Sequence, residues 1–211
     1  MPVKDFLCPR CRQAYQLKSQ KTPFGNQVTD AAYSKFISAV ENDTAPNLVL
    51  MHYDRLHLRV VDVDIIPRFF LSSSCIVPRK PLSSHAKRAH WVGCVISLER
   101  LPSDARISIV RNERIEEPNR VQERYRRFAS LMLGKTSQDR GWTADVLRYV
   151  RAIRRPDFDL RDLYAFEKEL RGLHPNNRFI QAKIRQQLQL LRDQGVLRFL
   201  GNGHYELLEA D

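Results

Sequence analysis

Residues 4 to 21 read Lys4-Asp5-Phe6-Leu7-Cys8-Pro9-Arg10-Cys11-Arg12-Gln13-Ala14-Tyr15-Gln16-Leu17-Lys18-Ser19-Gln20-Lys21. An acid comes first, then a Cys-Pro-Arg-Cys knuckle, then an alternating run that ends on lysine. The alternation in Tyr15-Gln16-Leu17-Lys18 suits a half-buried β-strand. On a strand, Gln16 and Lys18 point to the same face, two residues apart. With Asp5 on a neighbouring strand, three polar groups converge. A hard divalent cation takes oxygen ligands, and the Asp5 carboxylate and the Gln16 carbonyl offer two. Lys18 beside them would stabilise charge developing on a phosphate or orient a water. The same three residues also suit a plain solvated strand face.

Working outward, the chain has 211 residues and is 43% hydrophobic, enough for a real core. No apolar run approaches the ~20 residues of a membrane-spanning helix, and Met1-Pro2-Val3-Lys4-Asp5 lacks a signal-peptide pattern. A cytoplasmic protein is expected. The net charge of +11 favours an anionic partner, nucleic acid before a membrane surface. Of four cysteines, Cys8 and Cys11 have zinc-knuckle spacing and look like half of a zinc site, while Cys75 and Cys94 lie in apolar runs and read as buried thiols.

Further along, Ser19 to Thr29 reads as a polar loop, with Pro23 and Gly25 as turn signals. A helix is expected over Tyr33 to Val40, capped by Thr29 or Asp30. Leu48 to Tyr53 reads as a central strand covered on both faces, and Leu56 to Asp64 as a second strand. The stretch Pro78 to Trp91 is a basic loop. Its Arg79, Lys80, Lys87 and Arg88, interleaved with Trp91, suit phosphate contact and apolar contact with a base. The alternative is a solvated loop anchored in the core by Trp91. Arg106 to Val110 reads as a strand and Asn119 to Leu133 as a basic amphipathic helix. The Gly-bounded stretch from Gly134 to Gly141 is the expected domain boundary, dividing the chain into 1–138 and 139–211.

The remainder reads as a winged helix. Val146, Leu147, Val150 and Ile153 line one face of a first helix beginning at Trp142. Leu163, Phe166 and Leu170 mark a second, and His174 to Asn177 a turn. A third helix, about 178 to 193, turns Ile180, Ile184, Leu188 and Leu191 inward. Two strands around Gly201-Asn202-Gly203 form the wing. Asn177 at the end of the turn, and Arg178, Gln181 and Arg185 on the third helix, have the side chains that pair with guanine and adenine edges in the major groove. A winged helix used for protein contacts is the competing reading.

Several stretches together resemble a known family. Asp5-Phe6, Cys8-Pro9-x-Cys11 and Leu17-Lys18-Ser19-x-Lys21 come first. Arg79 to Leu82, Arg88-Ala89-x-Trp91-x-Gly93-Cys94, Arg140 to Thr143 and Lys183 to Asp193 follow in order over nearly the whole chain. They are similar to the DpnI family of methyl-directed type II restriction endonucleases. The resemblance implies an α+β fold: a PD-(D/E)xK nuclease domain with a mixed sheet, then a C-terminal winged helix. It implies hydrolysis of both strands of duplex DNA at N6-methyladenine GATC sites, with Mg²⁺ or Mn²⁺ at the nuclease site and a structural Zn²⁺; a monomer is expected. Carried over by position, Asp5 matches the first acid and Lys18 the lysine; Gln16 stands where the family has glutamate. The chain begins almost at that acid, so the resemblance implies an N-terminally shortened form. Cys8 and Cys11 match the second of two cysteine pairs. A methyl-adenine reader that has lost cleavage and a winged-helix DNA-binding regulator are the alternative readings.

Overall fold

The computed structural model describes residues 4 to 208. Its centre is a parallel pair of strands. β1 (Phe6–Leu7) forms an antiparallel hairpin with β2 (Ala14–Gln20). β3 (Gln27–Ala32) and α1 (Tyr33–Glu41) follow, and α1 carries the chain over to β4 (Asn47–Asp54), which lies parallel to β2. A strand–helix–strand crossover is what a parallel pair needs. β5 (Arg59–Ile66) returns antiparallel to β4. β6 (Ile76–Pro78) and β7 (Gly93–Ser97) flank the basic loop, and β8 (Ile107–Arg111) and β9 (Arg114–Ile115) complete the first part.

Among the described residues, the larger sheet has six strands in the order β1-β2-β4-β5-β8-β9, and a smaller one has the order β3-β7-β6. Register fixes which side chains share a face. Lys18 stands opposite Leu50, Leu50 opposite Asp64, and Asp64 opposite Ser108. On this face Leu48, Leu50 and Ile66 are buried, in one cluster with Val28, Ile76, Cys94 and Ile96 of the smaller sheet. The nuclease-like part is therefore a mixed sheet whose polar row runs out from a packed sheet-on-sheet core.

Two sequence expectations need correction here. Gln27 to Ala32 is a strand, not the end of a loop, and α1 starts from Ala32 with no side-chain cap from Thr29 or Asp30. The second expected strand starts at Arg59, because residues 55 to 58 form the turn of the β4–β5 hairpin, with Leu58 in the left-handed region at φ 52°.

Next, α2 (Pro118–Met132) leads into α3 (Ser137–Ala152), which begins five residues before Trp142. Thr136 caps it, its hydroxyl accepting from the Asp139 N–H at 3.1 Å. The expected boundary stretch, 134 to 141, thus includes the first turn of α3. Arg140 is 3% exposed and ion-paired with Asp43, and Trp142 is 1% exposed. β10 (Asp157–Asp159), α4 (Leu160–Tyr164), α5 (Glu167–Leu173), α6 (Ile180–Asp193), β11 (Leu197–Gly201) and β12 (His204–Leu207) finish the winged helix. The expected second helix is thus two short ones, and β10 adds a third strand to the wing in the order β10-β12-β11. Gly201 pairs with His204 across Asn202 and Gly203, both at positive φ, as a tight two-residue hairpin requires.

One continuous apolar cluster runs from Val28 to Tyr205 through both parts. At the seam the Trp142 ring stacks on the His174 imidazole with centroids 3.8 Å apart, His174 Nε2 lies 3.0 Å from Asp145, and the Ser74 hydroxyl donates to Asp145 at 3.3 Å.

Candidate nuclease site and DNA interface

Residues 8 to 13 form the knuckle between β1 and β2. The Cys8 N–H donates to the Gln13 carbonyl at 2.9 Å, and the Arg12 N–H to the Cys8 carbonyl at 2.9 Å, with Arg12 at φ 60°. The tightness of this turn sets the β1–β2 register, and with it the place of Asp5. Phe6 stacks on Tyr15 opposite it, ring centroids 5.2 Å apart. Asp5 lies immediately before β1, and its carboxylate accepts from the Leu17 N–H at 2.6 Å. That amide lies between Gln16 and Lys18, so the three residues are brought together at the edge of β2.

Gln16 is buried, 3% exposed. Its Nε2 donates to Asp30 Oδ1 at 3.2 Å. Lys18 Nζ lies 3.4 Å from the same oxygen, and the Asp30 side chain is 1% exposed. Asp30 comes from β3 of the other sheet and was not among the residues singled out in the sequence. Its partner Cys94 in the β3–β7 register has its thiol pushed up to about 11 by burial, with Asp30 adding to the shift.

An amide has a donor end and an acceptor end. Because the carboxylate of Asp30 only accepts, it takes the donor end of Gln16. The acceptor, Oε1, is buried and has no hydrogen-bond partner among the described residues. A buried carbonyl without a partner normally costs ~1–3 kcal/mol. Here it is an oxygen donor on the residue next to Leu17, whose N–H the Asp5 carboxylate accepts. Two oxygen donors of this kind fit a hard cation such as Mg²⁺ or Mn²⁺, and Asp5 and Gln16 are the residues that would hold it. The bound ion would supply charge neutralisation at a phosphate and an activated water. Gln16 brings no charge, so its pull on the ion is weaker than a carboxylate's.

The zinc reading is carried less far. Cys8 and Cys11 do lie together in the knuckle. The Cys8 thiol is held below its usual value by the Cys11 and Arg10 N–H groups and by the Cys11 side chain. That favours the thiolate a zinc ion needs. Yet no group of three or more Cys, His, Asp or Glu side chains gathers among the described residues, so the donors present make half of a tetrahedral set. Cys75 and Cys94 are fully buried, as their apolar settings suggested, and burial pushes the Cys75 thiol up to about 12.

The basic loop follows β6. Arg79, Lys80, Lys87 and Arg88 are all exposed, and none makes an ion pair among the described residues. The loop is a small hairpin of its own, closed by the Leu82 N–H on the Trp91 carbonyl and the His90 N–H on the Leu82 carbonyl. Trp91 is half-buried, with its ring laid over Gly93: a Cβ on Gly93 would stand 2.8 Å from two ring carbons. Trp91 thus packs in part on Gly93 and is neither fully buried nor fully exposed.

On the winged helix, Arg178 is exposed just before α6, and Asn177 holds the turn by accepting from the Phe179 N–H at 2.7 Å. Gln181 and Arg185 are exposed on α6 but engaged, Gln181 donating to Glu167 at 2.7 Å and Arg185 to the Tyr164 hydroxyl at 2.8 Å. Phe179, 76% exposed at the start of α6, was missed. Its flanking arginine and amides masked an apolar group at the tip of the helix.

Comparison with known families agrees with this arrangement in both parts. The DpnI model, described as the Dam-replacing family, matches residues 1–134. The model of the Dam-replacing HTH domain matches residues 138–207. No helix among the described residues is long and apolar enough to cross a membrane. With both matches in the order in which the nuclease-like sheet and the winged helix occur, the chain belongs to the DpnI, or Dam-replacing, family of restriction endonucleases with a DNA-binding HTH domain.

Proposed function

We propose that this protein is a methylation-dependent type II endonuclease that hydrolyses phosphodiesters of duplex DNA at N6-methyladenine GATC sites. The observation that carries the reading is the meeting of Asp5, Gln16 and Lys18 at the edge of β2, with a buried unpartnered oxygen on Gln16. In this reading Asp5 and Gln16 hold one Mg²⁺ or Mn²⁺. Lys18 stands by the scissile phosphate, where its ammonium favours the charge that builds up in the transition state. Arg79, Lys80, Lys87 and Arg88 grip the backbone, Trp91 offers apolar contact to a methylated base, and Asn177 and Arg178 in the turn before α6 approach the groove with Gln181 and Arg185 on α6. Residues 1–138 act as the nuclease part and 139–211 as the DNA-binding part of a cytoplasmic monomer. The cysteine pair contributes two ligands to any Zn²⁺.

The test is cleavage of matched plasmids with and without adenine methylation at GATC, with Mg²⁺ or Mn²⁺. Cutting confined to the methylated plasmid is expected. Cutting of neither, with intact binding to both, would end the endonuclease reading.

A further inference from the structure

We infer that Asp30 is a positioning residue for the metal site: it orients the Gln16 amide so that the carbonyl, not the NH₂, is presented to the cation. This rests on the metal-dependent reading of Asp5 and Gln16.

A glutamate at position 16 would need no orienting, since its two oxygens are equivalent. A glutamine does, because a flipped amide presents NH₂, which repels a cation. Some neighbouring group must therefore choose the rotamer. Asp30 is suited to that task. It sits on β3, in a different sheet from Gln16, so packing of the two sheets sets its position. Its side chain is 1% exposed, which removes competing water. Its Oδ1 lies 3.2 Å from Gln16 Nε2 and cannot accept from the other end of the amide. The same oxygen lies 3.4 Å from Lys18 Nζ, so the carboxylate is held by a charge as well. Oε1 is left buried without a hydrogen-bond partner among the described residues. Residues that orient a metal ligand typically change metal affinity about 10- to 100-fold when removed.

A double substitution separates this role from a merely structural one. In Asp30→Asn the new amide can offer either end, and Gln16 loses its fixed orientation. Adding Gln16→Glu supplies a ligand that needs none, and the amide introduced at position 30 can donate to it with the polarity of the bond reversed. The measurement is Mn²⁺ titrated into the full chain without DNA, with free ion counted by electron paramagnetic resonance. Thermal melts check that each variant is folded.

Wild type should bind one Mn²⁺ that Asp5→Ala abolishes. Asp30→Asn should bind it about tenfold more weakly or worse, and Asp30→Asn/Gln16→Glu at least as tightly as wild type. Wild-type affinity in Asp30→Asn, or a folded double variant as weak as Asp5→Ala, overturns the inference and leaves the metal reading intact. If Asp30→Asn does not fold, the double variant alone decides. No Asp5-dependent Mn²⁺ in wild type overturns the metal reading and the inference with it.

Discussion

Lys18 and Asp30 stand 3.4 Å apart, joining two sheets through one ion pair whose acid is buried and whose base reaches partly into solvent. Removing the base leaves a buried carboxylate with only part of its support. Lys18→Ala is expected to abolish cleavage, on the order of 100-fold or more, as losing one donor at a developing oxyanion does. Duplex affinity should barely change. Stability should fall by about 1–3 kcal/mol, because a buried acceptor loses a charged partner. Rapid-quench cleavage, a binding titration and a melt on one sample separate these effects. Wild-type cleavage in a folded Lys18→Ala would remove Lys18 from the site.

Trp91 depends on the glycine beneath it. Gly93→Ala would place a methyl 2.8 Å from the indole, and the ring must swing away. Forced overpacking costs about 1–3 kcal/mol. The expected outcome is a lower melting temperature and a weaker preference for methylated duplex, with non-specific affinity kept by Arg79, Lys80, Lys87 and Arg88. An unchanged methyl preference would mean that the position of the ring does not matter to reading.

The seam between the two parts should make them unfold together. His174 and Asp145 lie 3.0 Å apart with Trp142 stacked over the imidazole, and the apolar cluster is continuous across them. Calorimetry should show one transition. His174→Ala should destabilise the fold by about 3–5 kcal/mol, since Asp145 is fully buried and would lose a partner. Two separate transitions would show that the seam is weak. A fragment starting at Trp142 cuts α3 inside its second turn, so binding by the winged helix alone is better measured from Lys135 onward.

Thiol chemistry offers an independent check on the knuckle. Hydrogen bonds from Cys11 and Arg10 hold the Cys8 thiol low, while burial holds Cys75 near 12 and Cys94 near 11. The thiolate is the nucleophile, so near neutral pH iodoacetamide should label Cys8 first. Raising the pH should speed Cys8 only until its lowered pKa is passed. Cys75 and Cys94 should stay unlabelled until the protein unfolds. Mass spectrometry of timed digests reads this directly, and early labelling of Cys75 would contradict the packing around it.

Much of this was legible from local pattern, and the exceptions have physical reasons. The alternation over Tyr15 to Lys18 and the apolar run from Leu48 are strands because one face or both are buried. β3 escaped notice because Gln27-Val28-Thr29-Asp30-Ala31-Ala32 has little apolar periodicity, and its strand character comes from pairing with β7, 60 or more residues away. Asp30 was hidden for the same reason: its partnership with Gln16 and Lys18 is made by sheet packing, not spacing. The start of α3 carried a readable signal in Thr136-x-x-Asp139, an N-cap followed three residues later by an acid. The polar character of Ser137 to Arg140 made it read as part of the boundary stretch instead.

The last expectation concerns how a methyl group is read twice. An N6-methyl on adenine replaces one amine hydrogen and adds apolar surface in the major groove. Contact with it should be worth on the order of a kcal/mol per site, by analogy with the thymine methyl. Each part has an apolar group next to its basic residues: the half-buried Trp91, and Phe179 just before α6, 76% exposed. Each has a cationic arginine close in sequence, Arg88 and Arg178, to hold the backbone. Trp91→Ala and Phe179→Ala should each reduce the ratio of affinities for methylated over unmethylated GATC duplex by a few-fold. The two losses should multiply, because the residues belong to different parts of the chain. The arginine variants should instead weaken binding to both duplexes alike and flatten the salt dependence. Titrations at one stated salt concentration distinguish these outcomes. Equal affinity of wild type for both duplexes would sink methyl reading altogether. A preference untouched by Phe179→Ala but lost in Trp91→Ala would confine it to the nuclease part.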